Sequence, residues 1–128
     1  MATIKAYTDL DQSKKLAEIL PLESADMAYY FMKDSGKLVN PSPFVLDGTE
    51  VREDGMFTYL DCWSLAALLG ALPILDNRSP VMSKTFDGKY RVIYHSTAYE
   101  KAKYTEDFDN PVDACYGMIM RLNELKML

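Results

Sequence analysis

The chain has 128 residues, 48% of them hydrophobic and 26% charged, with two cysteines and a net charge of −5. A chain of this length buries roughly two-thirds of the surface that its unfolded form exposes, so it needs no disulfide or metal to hold a core, and its composition excludes disorder. The acidic balance argues against general nucleic-acid binding, which rests on a basic face that releases counterions, and leaves a protein partner open.

Along the chain, Met1 to Tyr7 carry no apolar signal-peptide run. The longest apolar stretch, around Cys62 to Leu75, is shorter than the roughly 18 residues of a membrane span. A cytoplasmic location without a membrane partner is therefore expected. A first helix is predicted after Thr8, with Asp11 in the capping-box position and Leu16, Ala17, Ile19 and Leu20 along it, ending at Pro21. The aromatic run Met27 to Lys33 predicts a strand, Asp34-Ser35-Gly36 a turn, and Lys37-Leu38-Val39 its return. Asp54-Gly55 predicts a tight hairpin joining Glu50–Glu53 to Met56–Leu60.

A central helix is expected to start at Asp61 as N-cap and to run through Trp63, Leu65, Ala66, Leu68, Leu69 and Leu72, apolar on nearly all sides and hence buried, until Pro73. Asp87-Gly88 predicts a second hairpin, from Met82–Phe86 to Lys89–His95, in which Tyr90, Val92 and Tyr94 form an apolar face. The last helix is the plainest element. Asn110 is a good N-cap, Pro111 suits the first position and Asp113 meets the positive helix end; Cys115, Met118, Ile119, Leu122 and Leu125 then share one face. Gly117 within it is expected to admit a neighbouring element at close range.

Together these elements predict a single α+β domain over residues 1–128: three helices with a small, mainly antiparallel sheet built from hairpins. Leu16–Leu22 echoes Leu68–Ile74, each a helix stopped by Leu-Pro. Two helix-plus-strand units and a closing C-terminal helix would produce this echo. The ordinary habit of helices to stop at proline produces it too, and is preferred.

Little in the chain points to chemistry. His95 is the lone histidine, and with Cys62 and Cys115 it lacks the paired spacing of a zinc site. The two cysteines are read as small hydrophobes in apolar helical surroundings. The acidic cluster Glu106, Asp107, Asp109 and Asp113 misses the calcium-loop pattern and is read as helix capping plus solvated loop charge. Asp47, Glu50, Glu53 and Asp54 are likewise read as hairpin surface. No glycine-rich phosphate loop occurs. Hence no catalytic, cofactor-binding or metal residue is assigned. Nine tyrosines are the compositional oddity. Tyr29, Tyr30, Tyr59, Tyr90 and Tyr94 are read as packing, whereas Tyr99 and Tyr104, with Phe108, are singled out as a candidate partner surface.

Three blocks carry a resemblance: Leu16-Ala17-Glu18-Ile19-Leu20-Pro21-Leu22-Glu23-Ser24-Ala25-Asp26-Met27, Cys62-Trp63-Ser64-Leu65-Ala66-Ala67-Leu68-Leu69, and Asp109-Asn110-Pro111-Val112-Asp113-Ala114-Cys115. In these the chain resembles a family of small uncharacterised proteins of gut Bacteroides-type bacteria, their phages and other mobile elements. The resemblance implies a biological setting and carries no activity or catalytic residue with it. The expectation drawn from all of this is a non-catalytic accessory or interaction protein, not an enzyme, binding another protein or itself as a homodimer. The alternative is a small-ligand binder or cryptic enzyme with its pocket between the sheet and the segment Tyr99 to Phe108.

Overall fold

The computed structural model describes residues 5–48, 55–94 and 106–128. The chain is α+β, with three α-helices and two small antiparallel sheets, one of three strands and one of two. It divides into two compact units, Tyr7–Ala67 and Leu68–Leu128, the latter joined by Met1–Ala6. Among the described residues, no helix is long and apolar enough to cross a membrane.

The Tyr7–Ala67 unit opens with helix α1 (Leu10–Ala17). Its N-cap is Asp9, whose carboxylate accepts from the Gln12 amide at 2.8 Å, while the Gln12 side chain accepts from the Asp9 amide at 3.1 Å. This reciprocal box displaces the start expected at Thr8 with Asp11, because Gln12 is the residue that stands three positions beyond the cap. The helix stops at Ala17, ahead of Pro21, and a one-turn 3₁₀ helix (Leu22–Ser24) follows.

Strand β1 (Met27–Met32) lies between β2 (Phe44–Val45) and β3 (Phe57–Cys62), both antiparallel to it. After β1 the chain turns at Gly36, whose φ of +68° suits a residue without Cβ, and returns to a single bridge between Phe31 and Leu38. The segment Glu50–Asp54 of the predicted Asp54-Gly55 hairpin lies outside the described residues. Its other arm is β3, which pairs with β1 and runs on through Asp61 and Cys62. Asp61 is therefore a strand residue and not a helix cap.

The register places Tyr30 opposite Tyr59 and Met32 opposite Phe57, so Ala28, Tyr30, Met32, Phe57, Tyr59, Asp61 and Phe44 share one face. On it the Tyr30 ring meets Phe44, Phe57 and Tyr59 edge-on, with centroids 5.2, 5.3 and 6.0 Å away. Such pairs add about 0.5–1.5 kcal/mol beyond area burial. Tyr29 and Cys62 face the other way, toward α1, whose Leu16 is fully buried.

Helix α2 (Leu65–Ala71) begins where Ser64 Oγ accepts from the Ala67 amide at 3.2 Å. Asp26 holds that cap in place, accepting from the Ser64 amide at 2.9 Å and from its hydroxyl. Asp26 thus orients the cap from the start of β1, a role that spacing along the chain does not reveal. Of the α2 residues Leu68 is buried while Ala66 and Gly70 are exposed, so the helix is half-buried and not enclosed. Trp63, fully buried just before it, donates from Nε1 to Ser24 Oγ at 2.9 Å.

In the second unit, Leu75 and Arg78 exchange both backbone bonds around Asp76 and Asn77, whose φ values are +49° and +62°. This is a two-residue turn of the mirror-image type. Strands β4 (Val81–Lys84) and β5 (Tyr90–Ile93) then form a hairpin. Gly88 alone in its turn takes a positive φ, +82°, and Thr85 N donates to Lys89 O at 2.8 Å. The loop is therefore three residues closed by a glycine bulge, not a two-residue turn needing positive angles at both Asp87 and Gly88. The far side of β5 is bridged by Phe108, which exchanges backbone bonds with Tyr90 at 2.7 and 2.8 Å.

Helix α3 (Pro111–Glu124) closes this unit. Asn110 Oδ1 accepts from the Asp113 amide at 2.9 Å, and its amide group donates to the Asp113 carboxylate at 2.8 Å. Val112, Cys115, Met118, Ile119 and Leu122 are fully buried, and the helix packs on β5, where Val92 is also fully buried, as is Tyr94 just past the strand's end. Leu125 is the C-cap, half-buried beyond the helix face on which the periodicity puts it.

Candidate interaction surface

The β4–β5 hairpin has two unlike faces. Cross-strand partners put Met82, Lys84, Tyr90 and Val92 on the side of α3, with Phe108 beside them. Lys84 Nζ lies 5.7 Å from the centre of the Tyr90 ring. The outer face carries Val81 and Ser83 of β4 and Arg91 and Ile93 of β5. Arg91 grips Asp107 through Nε at 2.7 Å and its terminal nitrogen at 2.9 Å, and Lys89 pairs with Asp109. Opposite charges on neighbouring rows hold the 107–109 segment to β5. Lys89 is raised above its ordinary pKa by the Asp109 bond, and Asp87 is lowered by the hydroxyl of Thr85.

At the hairpin tip stands Phe86, fully exposed. Beside it lies an open groove of about 320 Å³ lined by Ser83, Lys84, Thr85, Phe86 and Arg91. A bare phenylalanine in a turn does nothing for the fold. Turn chemistry favours small or polar residues there, and burial of its ring would contribute about 1.5–3 kcal/mol wherever a partner supplied it.

The expected partner residues distribute differently. Tyr99 and Tyr104 lie outside the described residues, as does His95. Phe108 is half-buried, with its backbone on Tyr90 and its ring against Gly117 of α3. With Glu106, Met120, Arg121 and Glu124 this pair lines an open cleft of about 220 Å³, the feature among the described residues nearest to the pocket expected beside Phe108. Phe86 itself falls at the end of the predicted arm Met82–Phe86, and its only sequence signal is an aromatic directly before Asp-Gly.

The acidic cluster resolves into structural pairs. Asp107 and Asp109 are tied to β5, and Asp113 accepts from Lys5 at 2.9 Å while serving the α3 cap. Asp113 thus keeps the capping role expected of it, and Asp107 and Asp109 are exposed, as expected of loop charge, but each is ion-paired as well. Among the described residues, no three of histidine, cysteine, aspartate and glutamate come together as a metal site. Of the second acidic run, Asp47 is exposed and the rest lies outside the described residues.

Both thiols are free and buried. Cys115 sits in the apolar face of α3, where burial pushes its pKa up to about 12. Cys62 is on a strand in polar company, not on a helix. Its thiol donates to Thr8 O at 3.4 Å and faces the Thr8 hydroxyl at 3.5 Å. That hydroxyl also meets Ser13 Oγ at 2.8 Å and accepts from the Trp63 amide at 3.2 Å, and Tyr29 donates to Thr8 O at 2.8 Å. Burial raises the Cys62 pKa despite these bonds. A nucleophilic thiol requires the opposite, an exposed site with a lowered pKa, so the cluster is a buried strut.

No family model, curated protein or solved structure matches the chain.

Proposed function

We infer that this is a non-catalytic accessory protein that acts by binding another protein. The observation that carries the reading is Phe86, held fully in water at the tip of a short hairpin beside an open groove. Exposed aromatics of this kind anchor interfaces, where a few such residues supply most of the binding energy. The burial of both thiols and the structural engagement of Asp107, Asp109 and Asp113 add weight, because they remove the most reactive groups in view from chemistry. The setting we assign is the cytoplasm of a bacterium, with the chain belonging to its phage or mobile-element complement. That assignment rests on the three sequence blocks.

The test is affinity capture from such a host with the wild-type chain and Phe86→Ser side by side, followed by direct measurement with the purified partner. A partner, whether another protein or a second copy of the chain, whose affinity falls about tenfold or more with Phe86→Ser supports the reading. Unchanged capture by the variant, or turnover of a substrate by the purified chain alone, overturns it.

A further inference from the structure

We propose that two copies of the chain associate through the outer edge of β4, pairing antiparallel about Ser83 so that Phe86 of each covers Val81 of the other. This rests on the interaction reading above and names a second copy of the chain as the partner.

The backbone supplies the first argument. β4 is the outer strand of its hairpin, since α3 packs on β5 and Phe108 bridges the far side of β5. Tyr90 turns its N–H and C=O toward Phe108, and Thr85 N donates to Lys89 O, so Lys84–Tyr90 is an unbonded pair of the ladder. Antiparallel alternation then turns the backbone groups of Met82 and Lys84 to the open side of β4, where among the described residues no bond reaches them. A second β4 centred on Ser83 sets Met82 opposite Lys84 in both directions, and each of these groups gains a partner. Neighbouring registers do worse. Centred on Met82, the pairing sets Pro80, which has no N–H, opposite Lys84; centred on Lys84, it sets like charges face to face. The residues that guard this edge thus leave one register open.

The ends of the strand identify the occupant. Val81 and Phe86, both exposed, stand at opposite ends of β4. Antiparallel self-pairing brings each Phe86 ring beside Pro80 and Val81 of the other copy, a cover that its own chain does not supply. Charge agrees. Arg78 and Asp87 are exposed at the same two ends, and the pairing turns each carboxylate toward the guanidinium of the second copy. Val81, Ser83 and Thr85, which meet across the axis on the outer face, carry no charge, so a chain at −5 meets no like charge there. Lys84 leans over the Tyr90 ring, away from the edge and from its counterpart. One patch used twice about a two-fold axis closes the assembly at a dimer. The interface is small, in the transient class below about 1,200 Å², so it forms at high concentration.

The experiment measures the mass of the full chain by sedimentation across a concentration series. The mass is expected to rise from 14.5 kDa toward twice that value. Association should be about tenfold weaker in Phe86→Ser and in Met82→Pro, which removes only a donor on the open edge. Register is read by cross-linking under mild oxidation. Ser83→Cys stands opposite itself in an unbonded pair, where the Cβ atoms lie close enough for a disulfide, so it should give a covalent dimer. Val81→Cys and Thr85→Cys should cross-link only when mixed. Both native thiols are buried, and the wild-type chain serves as the blank. Circular dichroism and thermal midpoints check that the variants stay folded. A mass fixed at 14.5 kDa up to about 1 mM, a dimer indifferent to Phe86→Ser or Met82→Pro, or Thr85→Cys cross-linking to itself as fast as Ser83→Cys overturns the proposal. If the chain stays monomeric while Phe86→Ser still abolishes capture of a different host protein, self-pairing is wrong and the interaction reading stands. If Phe86→Ser affects neither, both fall.

Discussion

The ring of Phe108 occupies the space that a side chain at Gly117 would need: a Cβ there would lie 2.7 Å from the ring's Cζ. The glycine in α3 is therefore a seat for the residue that bridges β5, and its helix-propensity cost of about 1 kcal/mol is retained for that contact. Gly117→Ala gains propensity but must push the ring outward, so its net effect in the wild-type chain is expected to be small or destabilising. With Phe108→Ala in place, the same substitution should stabilise by about 1 kcal/mol. A double-mutant cycle read by urea denaturation checks this, with a coupling of about 0.5–3 kcal/mol expected for residues in contact.

The end of α3 makes a second prediction. Lys126 takes φ +59° while its amide bonds Asn123 O and the Met127 amide bonds Leu122 O. This is the double-bonded helix stop that glycine fills best, here with a lysine held in the left-handed region at a cost of about 1–2 kcal/mol. Lys126→Gly should raise the urea midpoint by the equivalent of about 1 kcal/mol. A lower midpoint would show that the lysine side chain contributes more than its backbone loses.

Thr8 is the hub of the buried strut that links α1 to β3 in the Tyr7–Ala67 unit. Thr8→Val keeps the shape but leaves the Trp63 amide and Ser13 Oγ without that hydroxyl. Burying groups stripped of a partner costs about 1–3 kcal/mol, which chemical denaturation will register. Substitution at the exposed Asp11 should change stability by less than about 0.5 kcal/mol.

Alkaline pH is the fourth test. Cys115 is raised by burial from the ordinary 9.0 to about 12, and Cys62 is raised in the same direction for the same cause. Between those values the unfolded chain releases thiol protons that the folded chain retains. The stabilising contribution is therefore complete below pH 9 and is lost progressively as pH rises toward 12. Cys115→Ala should lower the slope of stability against pH in that window, whatever it does to stability at neutral pH. The two thiols should also react with a disulfide reagent only as fast as the chain opens.

Several parts of the fold are legible without coordinates because their causes are local. Asn110-Pro111 with Asp113 sets the start of α3, and the spacing of Cys115, Met118, Ile119 and Leu122 sets its buried side. The alternation of Tyr90, Val92 and Tyr94 likewise marks a strand with one inner face. The errors fall where a local signal competes with a distant partner. Asp61 reads as a helix cap, but its backbone is taken into β3 by pairing with Ala28, and the cap passes to Ser64, positioned by Asp26. The expected partner surface is legible only in kind: an aromatic anchor. Whether a given ring is packed, as with Phe108, or bare, as with Phe86, depends on what stands opposite it.

The sequence by itself determines the α+β class, three helices, the hairpin at Asp87-Gly88, the close approach at Gly117 and the acidic charge, since each follows from periodicity, caps, turn residues or composition. Tertiary structure decides the division of the strands into two sheets, the engagement of Asp107, Asp109 and Asp113, the polar seat of Cys62, and the exposure of Phe86. These depend on which side chains meet across long stretches of chain. Periodicity carries no record of that pairing, because strand register and ion-pair choice are set by packing between distant segments.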